Sequence, residues 1–424
     1  MTRGLNYIGF LRAGFGLGQA ARGYIRALSG TGIDVLQVDA GELLPGRSGR
    51  DRGLLSATLS NRDLLHPLSI VHINPDLLFT FWNLVGNGFF QDRCTIGIWA
   101  WEAPAFPSKW HDRFALLDEV WVGGSFMAGG ISRVAPFPVV VMPHVVEPLP
   151  AEPDRDAFHI SPDEYVFLFH FDAHSTYSRK NPMGVIQAFR KAFGPNEPAR
   201  LVVKSINAES NRHYNELRKA AEGLRVTFID ETMDQDRFAR LLASIDAFVS
   251  LHRAEGFGLG IAEAMALGKP VIATGWSGNM DFMNETNSLP VRFELAPLAE
   301  ADPPYEQGSL WALPDIDDAA RKMRLIFDNR SLGNEIGHLA RASMLSRHSP
   351  GAVGRLMEQR LERIGNGTGR GRKNLPPETV RKLRAGKASS LRWFCSVILA
   401  RLPARFTGIR TVLERTRNRV SDSL

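Results

Sequence analysis

The chain reads as an α/β protein of two successive parallel-sheet domains, and three features of its 424 residues point there. Short, uninterrupted apolar runs alternate with amphipathic segments. A proline-rich break interrupts that rhythm once, after which it restarts. The pentapeptide GFGLG occurs in each half, at 14–18 and 256–260, each time between a strand-like and a helix-like segment. Apolar runs without polar alternation are what strands buried on both faces of a parallel sheet require.

In the first half the runs LNYIGF, IDVLQV, LSIVHI, CTIGIWAW, EVWV and PVVVM predict strands. Behind the first of them Leu17, Ala20, Ala21, Tyr24, Ile25 and Leu28 recur at helical spacing. Ser125 predicts the cap of a helix that begins at Phe126. The segment PHVVEPLPAEPD (143–154), with four prolines, marks a boundary between a domain of 1–145 and one of 146–364. Beyond it YVFLFHF, RLVVKS, RVTFI, AFVSLH and PVIAT predict strands, with helices over 181–193, 209–222 and 235–244. Asn181 and Pro182 suit the cap and the first position of a helix. Three helical patterns, 317–328, 332–346 and 352–364, close the second domain. Two βαβ domains of this kind make a doubly wound architecture.

With 44% hydrophobic and 23% charged residues the composition is that of an ordinary globular protein. Two cysteines in unlike contexts, Cys94 and Cys395, argue for a reducing compartment and against a cysteine-held metal. No apolar run has the length of a signal peptide core or a membrane span, so a cytoplasmic location is expected. The charge is unevenly placed. Residues 366–424 carry 14 Lys/Arg against 3 Asp/Glu, a net +11, which leaves −5 for the preceding 365. Within the 365–424 tail, GNGTGRGRKNLPP reads as a linker. From 378 to 424 an apolar run with regularly placed arginines suits an anionic membrane surface, which would put the protein peripherally on the inner face of the plasma membrane. A solvated tail is the plainer alternative. The body has no basic face or recognisable nucleic-acid module, so nucleic acid is not an expected partner.

The chemistry concentrates in SLHRAEGFGLGIAEAMALGKPVIAT. A strand ends near His252, a glycine loop follows, and a helix starts near Gly260, which puts the loop where open α/β sheets place ligands. Glu255 lies in the loop and Glu263 on the helix, both able to face one crevice. Gly256, Gly258 and Gly260 free main-chain N–H groups for close approach, and carboxylates accept pairs of hydrogen bonds from the vicinal hydroxyls of a sugar or ribose. In FHFDAHSTYSRKNPMGVIQAF, Arg179 and Lys180 precede the positive end of a helix, where cations are disfavoured unless an anion sits between them and the N–H groups. A diphosphate is the natural candidate. Lys204, ending RLVVK, is a second basic group at the same sheet edge. In CTIGIWAWEAPAFPSKWHDRF, Trp101 and Glu102 end a buried strand, and an acid beside tryptophans there is a candidate ligand or acid/base residue. The triplets D-x-D at 234–236 and 315–317 sit where helices start and read as first-turn acids, so no metal is expected.

Together these residues resemble the retaining family 4 glycosyltransferases of the GT-B fold, over about residues 5–360. The specific core is E-x7-E, Glu255 through Glu263. Supporting it are the glycine loop after the first strand, RKNP at 179–182 and SGNMDF at 277–282. The WAWE…FP…W…DEVWV stretch is similar to a subgroup that builds bacterial surface polysaccharides. The resemblance implies two Rossmann-like domains facing a central cleft, with a basic helical tail. It implies a hexose moved from a nucleoside-diphosphate sugar, GDP-mannose or a UDP-sugar, to a glycan or lipid-linked glycan, with no cofactor beyond the donor. Glu255, Lys180 and Glu102 would be the catalytic group. Glu255 and the main chain at Phe257, Gly258 and Leu259 would hold the donor sugar, Glu263 its ribose, and Lys180 with Arg179 or Lys204 its diphosphate. Gly16 and Gly18 would lie near the phosphates, with Trp101 and Asp281 on the acceptor side. The family pattern has an arginine five or six residues before the lysine, where this chain has His174 and Ser175.

Two other readings compete. Gly16-Leu17-Gly18-Gln19-Ala20-Ala21 fits the G-x-G-x-x-A of a dinucleotide site, with Asp39 near the place of a ribose-binding acid, and so predicts an NAD-dependent oxidoreductase. A sugar-nucleotide epimerase would share the architecture. Neither accounts for E-x7-E and RKNP.

Overall fold

A computed structural model describes residues 4–14, 16–43, 64–90, 93–173, 175–208 and 213–365. The expected linker and membrane-binding segment beyond 365 lie outside the described residues, as do Phe15, His174 and the start of the helix expected over 209–222.

The first sheet comprises β1 (Gly4–Gly9), β2 (Asp34–Asp39), β3 (Leu68–His72), β4 (Cys94–Trp99), β5 (Glu119–Val122) and β6 (Val139–Val141). All pair in parallel, in the order β2-β1-β3-β4-β5-β6. Helices α1 (Gly16–Ser29), α2 (Ala40–Leu43), α3 (Pro75–Val85) and α4 (Ser125–Ser132) connect them. The second sheet comprises β7 (Tyr165–Asp172), β8 (Ala199–Ile206), β9 (Val226–Asp230), β10 (Ala247–Ser250), β11 (Val271–Thr274) and β12 (Leu289–Val291). It too is parallel, in the order β12-β11-β10-β7-β8-β9. Its helices are α5 (Tyr177–Lys180), α6 (Pro182–Ala192), α7 (Tyr214–Ala220), α8 (Gln235–Ser244) and α9 (Leu259–Ala266). An antiparallel hairpin, β13 (Phe293–Pro297) and β14 (Leu310–Pro314), precedes α10 (Ile316–Asp328), α11 (Arg330–His348) and α12 (Pro350–Gly365).

Burial follows strand position. The interior strands β1, β3, β4, β5, β10 and β11 are buried at every residue, whereas the edge strands β2 and β9 are half-exposed. This is why the interior strands were legible as unbroken apolar runs. In each sheet the strand order reverses at one point, between β1 and β3 in the first and between β7 and β10 in the second. Crevices at such reversals are the ligand positions of open α/β sheets. The loop after β1 contains the first GFGLG, and the loops after β7 and β10 contain RKNP and the second GFGLG.

The expected N-cap Asn181 accepts from the Gly184 N–H. Of the acids expected in first helical turns, Asp236 and Asp317 lie there, whereas Asp234 and Asp315 are the N-caps themselves, accepting from the N–H groups of Arg237 and Asp318. Three expectations need correction. Ser125 is the first residue of α4 rather than its cap, and its hydroxyl is engaged by another domain, as described below. The hairpin β13–β14 falls in a stretch with no expected strands. Finally, α12, expected within the second domain, packs on the first. Its Val353, Met357 and Leu361 are buried in one cluster with Tyr24, Ala27 and Leu28 of α1, each such side chain contributing roughly 2 kcal/mol. Arg360 of α12 reaches Glu119 on β5, donating from Nε at 2.9 Å, while the Trp121 indole donates to the same carboxylate at 2.6 Å. A carboxylate inside an interior strand is tolerated because that arginine neutralises it. Among the described residues no helix is long and apolar enough to cross a membrane.

A Cβ at Gly354 of α12 would lie 2.5 Å from the carbonyl oxygen of Ala27 on α1. Alanine is the better helix former by about 1 kcal/mol, but overpacking costs about 1–3 kcal/mol. Gly354→Ala should therefore lower the thermal unfolding midpoint. An unchanged or higher midpoint would contradict the docking of α12 on α1.

Candidate active site

The switch point of the second sheet holds a buried ion cluster. Glu255, 8% exposed, accepts from Lys180 Nζ at 2.5 Å through Oε1, and Arg179 Nη1 lies 3.2 Å from Oε2. Arg179 is 2% exposed, and it also donates to the Ala254 carbonyl at 2.6 Å and to the Ser175 hydroxyl at 3.0 Å. Burial alone would push the Glu255 carboxyl up, but Lys180, Arg179 and His252 outweigh it and hold the group at about 2. The cations sit in the last turn of the short helix α5, where positive charge is favoured. The anion that their place before α6 demanded is therefore supplied by the protein itself. Lys180 has three N–H donors and is a fifth exposed, so its ammonium can serve Glu255 and a ligand together.

The loop bearing Glu255 is propped from beneath by the SGNMDF turn. Ser277 Oγ accepts from the Glu255 N–H at 2.9 Å, and Gly278 N–H donates to the Glu255 carbonyl at 2.9 Å. Gly258 then caps α9 at φ +92°, a conformation that glycine alone adopts without strain. Phe257 turns inward and packs on His144, Phe282 and His348, at ring-centroid distances of 4.9, 4.9 and 5.4 Å. Its main chain, with that of Gly258 and Leu259, therefore lines the loop while its ring is a core residue.

The two GFGLG loops face each other across the domains. A Cβ at Gly16 would lie 3.5 Å from Leu259 Cδ1, and Gln19 on α1 donates its side-chain amide to Glu263 Oε1 on α9. Burial pushes Glu263 up to about 7, against the opposing effect of that hydrogen bond. Gly18 has a structural reason of its own, since a Cβ there would meet the carbonyl oxygens of Ala13 and Phe10 at 2.4 and 2.7 Å. Asp39, the acid a dinucleotide site would need, is already used: its Oδ1 accepts from the N–H groups of Leu11 at 3.1 Å and Gly41 at 2.9 Å.

Glu102 comes from the loop after β4 and lies beside the cluster, its Oε1 3.9 Å from Arg179 Nη2. Its Oε2 accepts at 2.8 Å from the Tyr305 hydroxyl, a residue that the sequence reading missed. Tyr305 sits in the loop joining β13 to β14, which crosses to the first domain. Lys109 donates to the Pro304 carbonyl at 3.3 Å, and the Tyr305 ring lies 5.2 Å from that of Trp101. Trp101, expected on the acceptor side, is 3% exposed and donates its indole N–H to the Ala105 carbonyl at 2.7 Å, so it braces the loop. The aromatic residue in an acidic, proline-bearing loop was the available signal for Tyr305.

Two other expected residues are placed elsewhere. Lys204 is buried with its ammonium donating to the carbonyls of Ser205 and Glu231 at 3.0 and 2.6 Å, and it does not join the Glu255 cluster. Asp281 accepts from the Ser125 N–H at 2.5 Å and from its hydroxyl, capping α4 of the other domain. The chain crosses between domains near His144 and again near His348. There the Val146 N–H donates to the His348 carbonyl at 2.9 Å and the His348 imidazole donates to the His144 carbonyl at 2.9 Å.

Two Rossmann-like domains joined by this crossing and meeting at facing glycine loops constitute the GT-B fold of glycosyltransferases. Residues 152–342 match the family model described as glycosyl transferases group 1. The structure is similar to that of sucrose-phosphate synthase from Thermosynechococcus elongatus, with 16% identity over 86% of this chain and 100% of that one and a TM-score of 0.63. It is also similar to a glycosyltransferase from Rickettsia africae ESF-5 (14% identity, 87% and 100% covered, TM-score 0.62). A third likeness is to HepE from Anabaena in complex with UDP and glucose (13% identity, 85% and 100% covered, TM-score 0.58). At such identities these likenesses establish the fold. No curated protein matches the sequence.

Removing the charge of Glu255 leaves a fully buried arginine without its nearest anion. Glu255→Gln should lower the unfolding free energy at pH 7 by about 3 kcal/mol in denaturant titrations. The folded carboxyl titrates at about 2, below the ordinary carboxylate range. Its contribution is thus complete above that range and is lost as the pH falls towards 2. The gap between wild type and Glu255→Gln should narrow between pH 5 and pH 3; a pH-independent gap would contradict the pairing.

Proposed function

We propose that the chain is a retaining glycosyltransferase that moves a hexose from a nucleoside-diphosphate sugar to a glycan or lipid-linked glycan. The observation that carries this reading is the cluster of Glu255 with Lys180 and Arg179 at the mouth of the second sheet's crevice, beside the N-terminus of α9. Cations and free helix N–H groups at one point stabilise the negative charge that develops on a departing diphosphate, already organised before reaction begins. Glu263, which lies on α9 beyond the loop that carries Glu255, would receive the ribose hydroxyls. Glu255 and the main chain of Phe257, Gly258 and Leu259 would orient the donor sugar. Glu102, delivered from the first domain, would face the transferred group. Retention, with the diphosphate taking the acceptor proton on the leaving face, follows from the resemblance to family 4.

The matched family model and the complexes of HepE with UDP and with UDP-glucose support a nucleotide-sugar donor. The oxidoreductase alternative is weakened because Asp39 is committed to the backbone N–H groups of Leu11 in the first loop and of Gly41 in α2. A place in surface polysaccharide synthesis, with 378–424 on an anionic membrane, would bring the site to a lipid-linked acceptor.

A binding panel of UDP, GDP, dTDP and NAD tests the reading. At a hundredfold excess over Kd, a ligand specific to the folded state adds about 2.7 kcal/mol of stability. At least one nucleoside diphosphate should raise the melting temperature, and Lys180→Ala should abolish the rise. Stabilisation by NAD alone would contradict the proposal.

A further inference from the structure

We propose that Gln19 is a positioning residue of the nucleotide site, its carboxamide fixing the Glu263 carboxylate from the opposite domain so that a ribose is gripped only when the two glycine loops are docked. This rests on the reading of the site given above and extends it to a residue of the first domain.

Gln19 lies in the first turn of α1, whose side chains lean towards the helix N-terminus and hence towards the facing loop. Its amide donates to Oε1 of Glu263. An ionised carboxylate has acceptor capacity to spare, and Oε2 is left for a ribose hydroxyl. The contact is not isolated, because Gly16, one helical turn earlier, approaches Leu259 at the start of α9. The two helices therefore present their N-termini to one another, with the amide and the carboxylate bridging them.

Among the described residues no cation pairs with Glu263. On α1, Arg22 is turned to the carbonyls of Leu11 and Ala13. On β7, His170 packs against Gly260, and burial drives it down to about 3. His252, after β10, is driven down to about 4 by burial, so both rings are neutral. On α11, Arg341 lies beside Gly268, past the opposite end of α9. The influences acting on Glu263 are its burial, which raises it to about 7, and the hydrogen bond from Gln19, which opposes that. A protonated Glu263 loses acceptor capacity, so the amide keeps the site competent near neutral pH.

Isothermal calorimetry of the full chain with UDP and with GDP, from pH 5.5 to 8.5, tests this on wild type, Gln19→Met and Gln19→Glu. Taking the ratio of variant to wild-type affinity at each pH removes the ionisation of the nucleotide's own phosphate. Gln19→Met has nearly the same size but no donor. Its affinity should lie within about threefold of wild type at pH 8.5 and fall about tenfold below it at pH 6.5. Gln19→Glu, with a second carboxylate in place of the donor, should be weaker still across the range. Matching melting temperatures at pH 8.5 in the absence of nucleotide would establish that the variants are folded; if Gln19→Met is not, Gln19→Glu carries the test. A ratio that does not change with pH would overturn the role of Gln19 and leave the glycosyltransferase reading standing. Failure of wild type to bind either nucleotide at any pH would overturn both.

Discussion

The structure depends on keeping one carboxylate charged inside the protein. Glu255 is nearly inaccessible, and a lone charge there would cost several kcal/mol. Arg179 and Lys180 remove that cost, and the requirement that they reach it fixes much else. The loop after β7 must turn back through α5 to deliver both cations, and Asn181 must adopt a left-handed conformation (φ 53°) to start α6 immediately afterwards. Arg179 then has donors left for Ser175 and the Ala254 carbonyl, which ties the β7 and β10 loops together. Through Glu102 the same guanidinium reaches towards the first domain. A single ionic constraint thus shapes the crevice, its electrostatics and part of the domain contact.

The domains are held by contacts of different kinds. The Tyr305–Glu102 hydrogen bond and the Asp281 cap on α4 are polar and lie on loops, whereas α12 buries an apolar face on α1 and brings Arg360 to Glu119. The last two form a lasting connection, because large apolar areas and buried ion pairs are expensive to separate. The loop contacts are cheaper to break, so they are the natural points at which a cleft of this architecture would open to its substrates. Phe257 links the two sets, since its ring packs on His144 and His348 at the chain crossings while its backbone belongs to the glycine loop.

What the sequence revealed, and what it hid, has a physical basis. Interior strands such as β4 and β10 were readable because burial on both faces leaves them without charged residues. Glu255, Lys180 and Glu263 stood out as candidates because the loops at the carboxyl ends of such strands are where open α/β sheets place ligands. The hairpin β13–β14 was not, for its residues are partly exposed and its loop is acidic and proline-rich, which resembles ordinary surface. Tyr305 and Gln19 were missed for a related reason: their partners, Glu102 and Glu263, are about 200 residues or more away in sequence and come from the other domain. Lys204 and Asp281 were readable as charged groups near strand ends, but nothing local signals that one would be absorbed by carbonyls and the other by a helix of the opposite domain. The repeated GFGLG was recognised as two loops on one cleft. The structure adds that Gly18 serves the first loop's own packing, while Gly16 approaches Leu259 of the second copy and Gln19 reaches Glu263 just beyond it.

The central claim is that a nucleotide is held in the second domain, between the Glu255 cluster and Glu263. A crystal structure of the full chain with bound UDP or GDP tests it most directly. Diphosphate oxygens should lie about 3 Å from Lys180 Nζ and from N–H groups at the start of α9, with the ribose hydroxyls on Glu263. A nucleotide seated instead against Gly16 and Gly18, with its ribose on Asp39 and Lys180 untouched, would contradict the account.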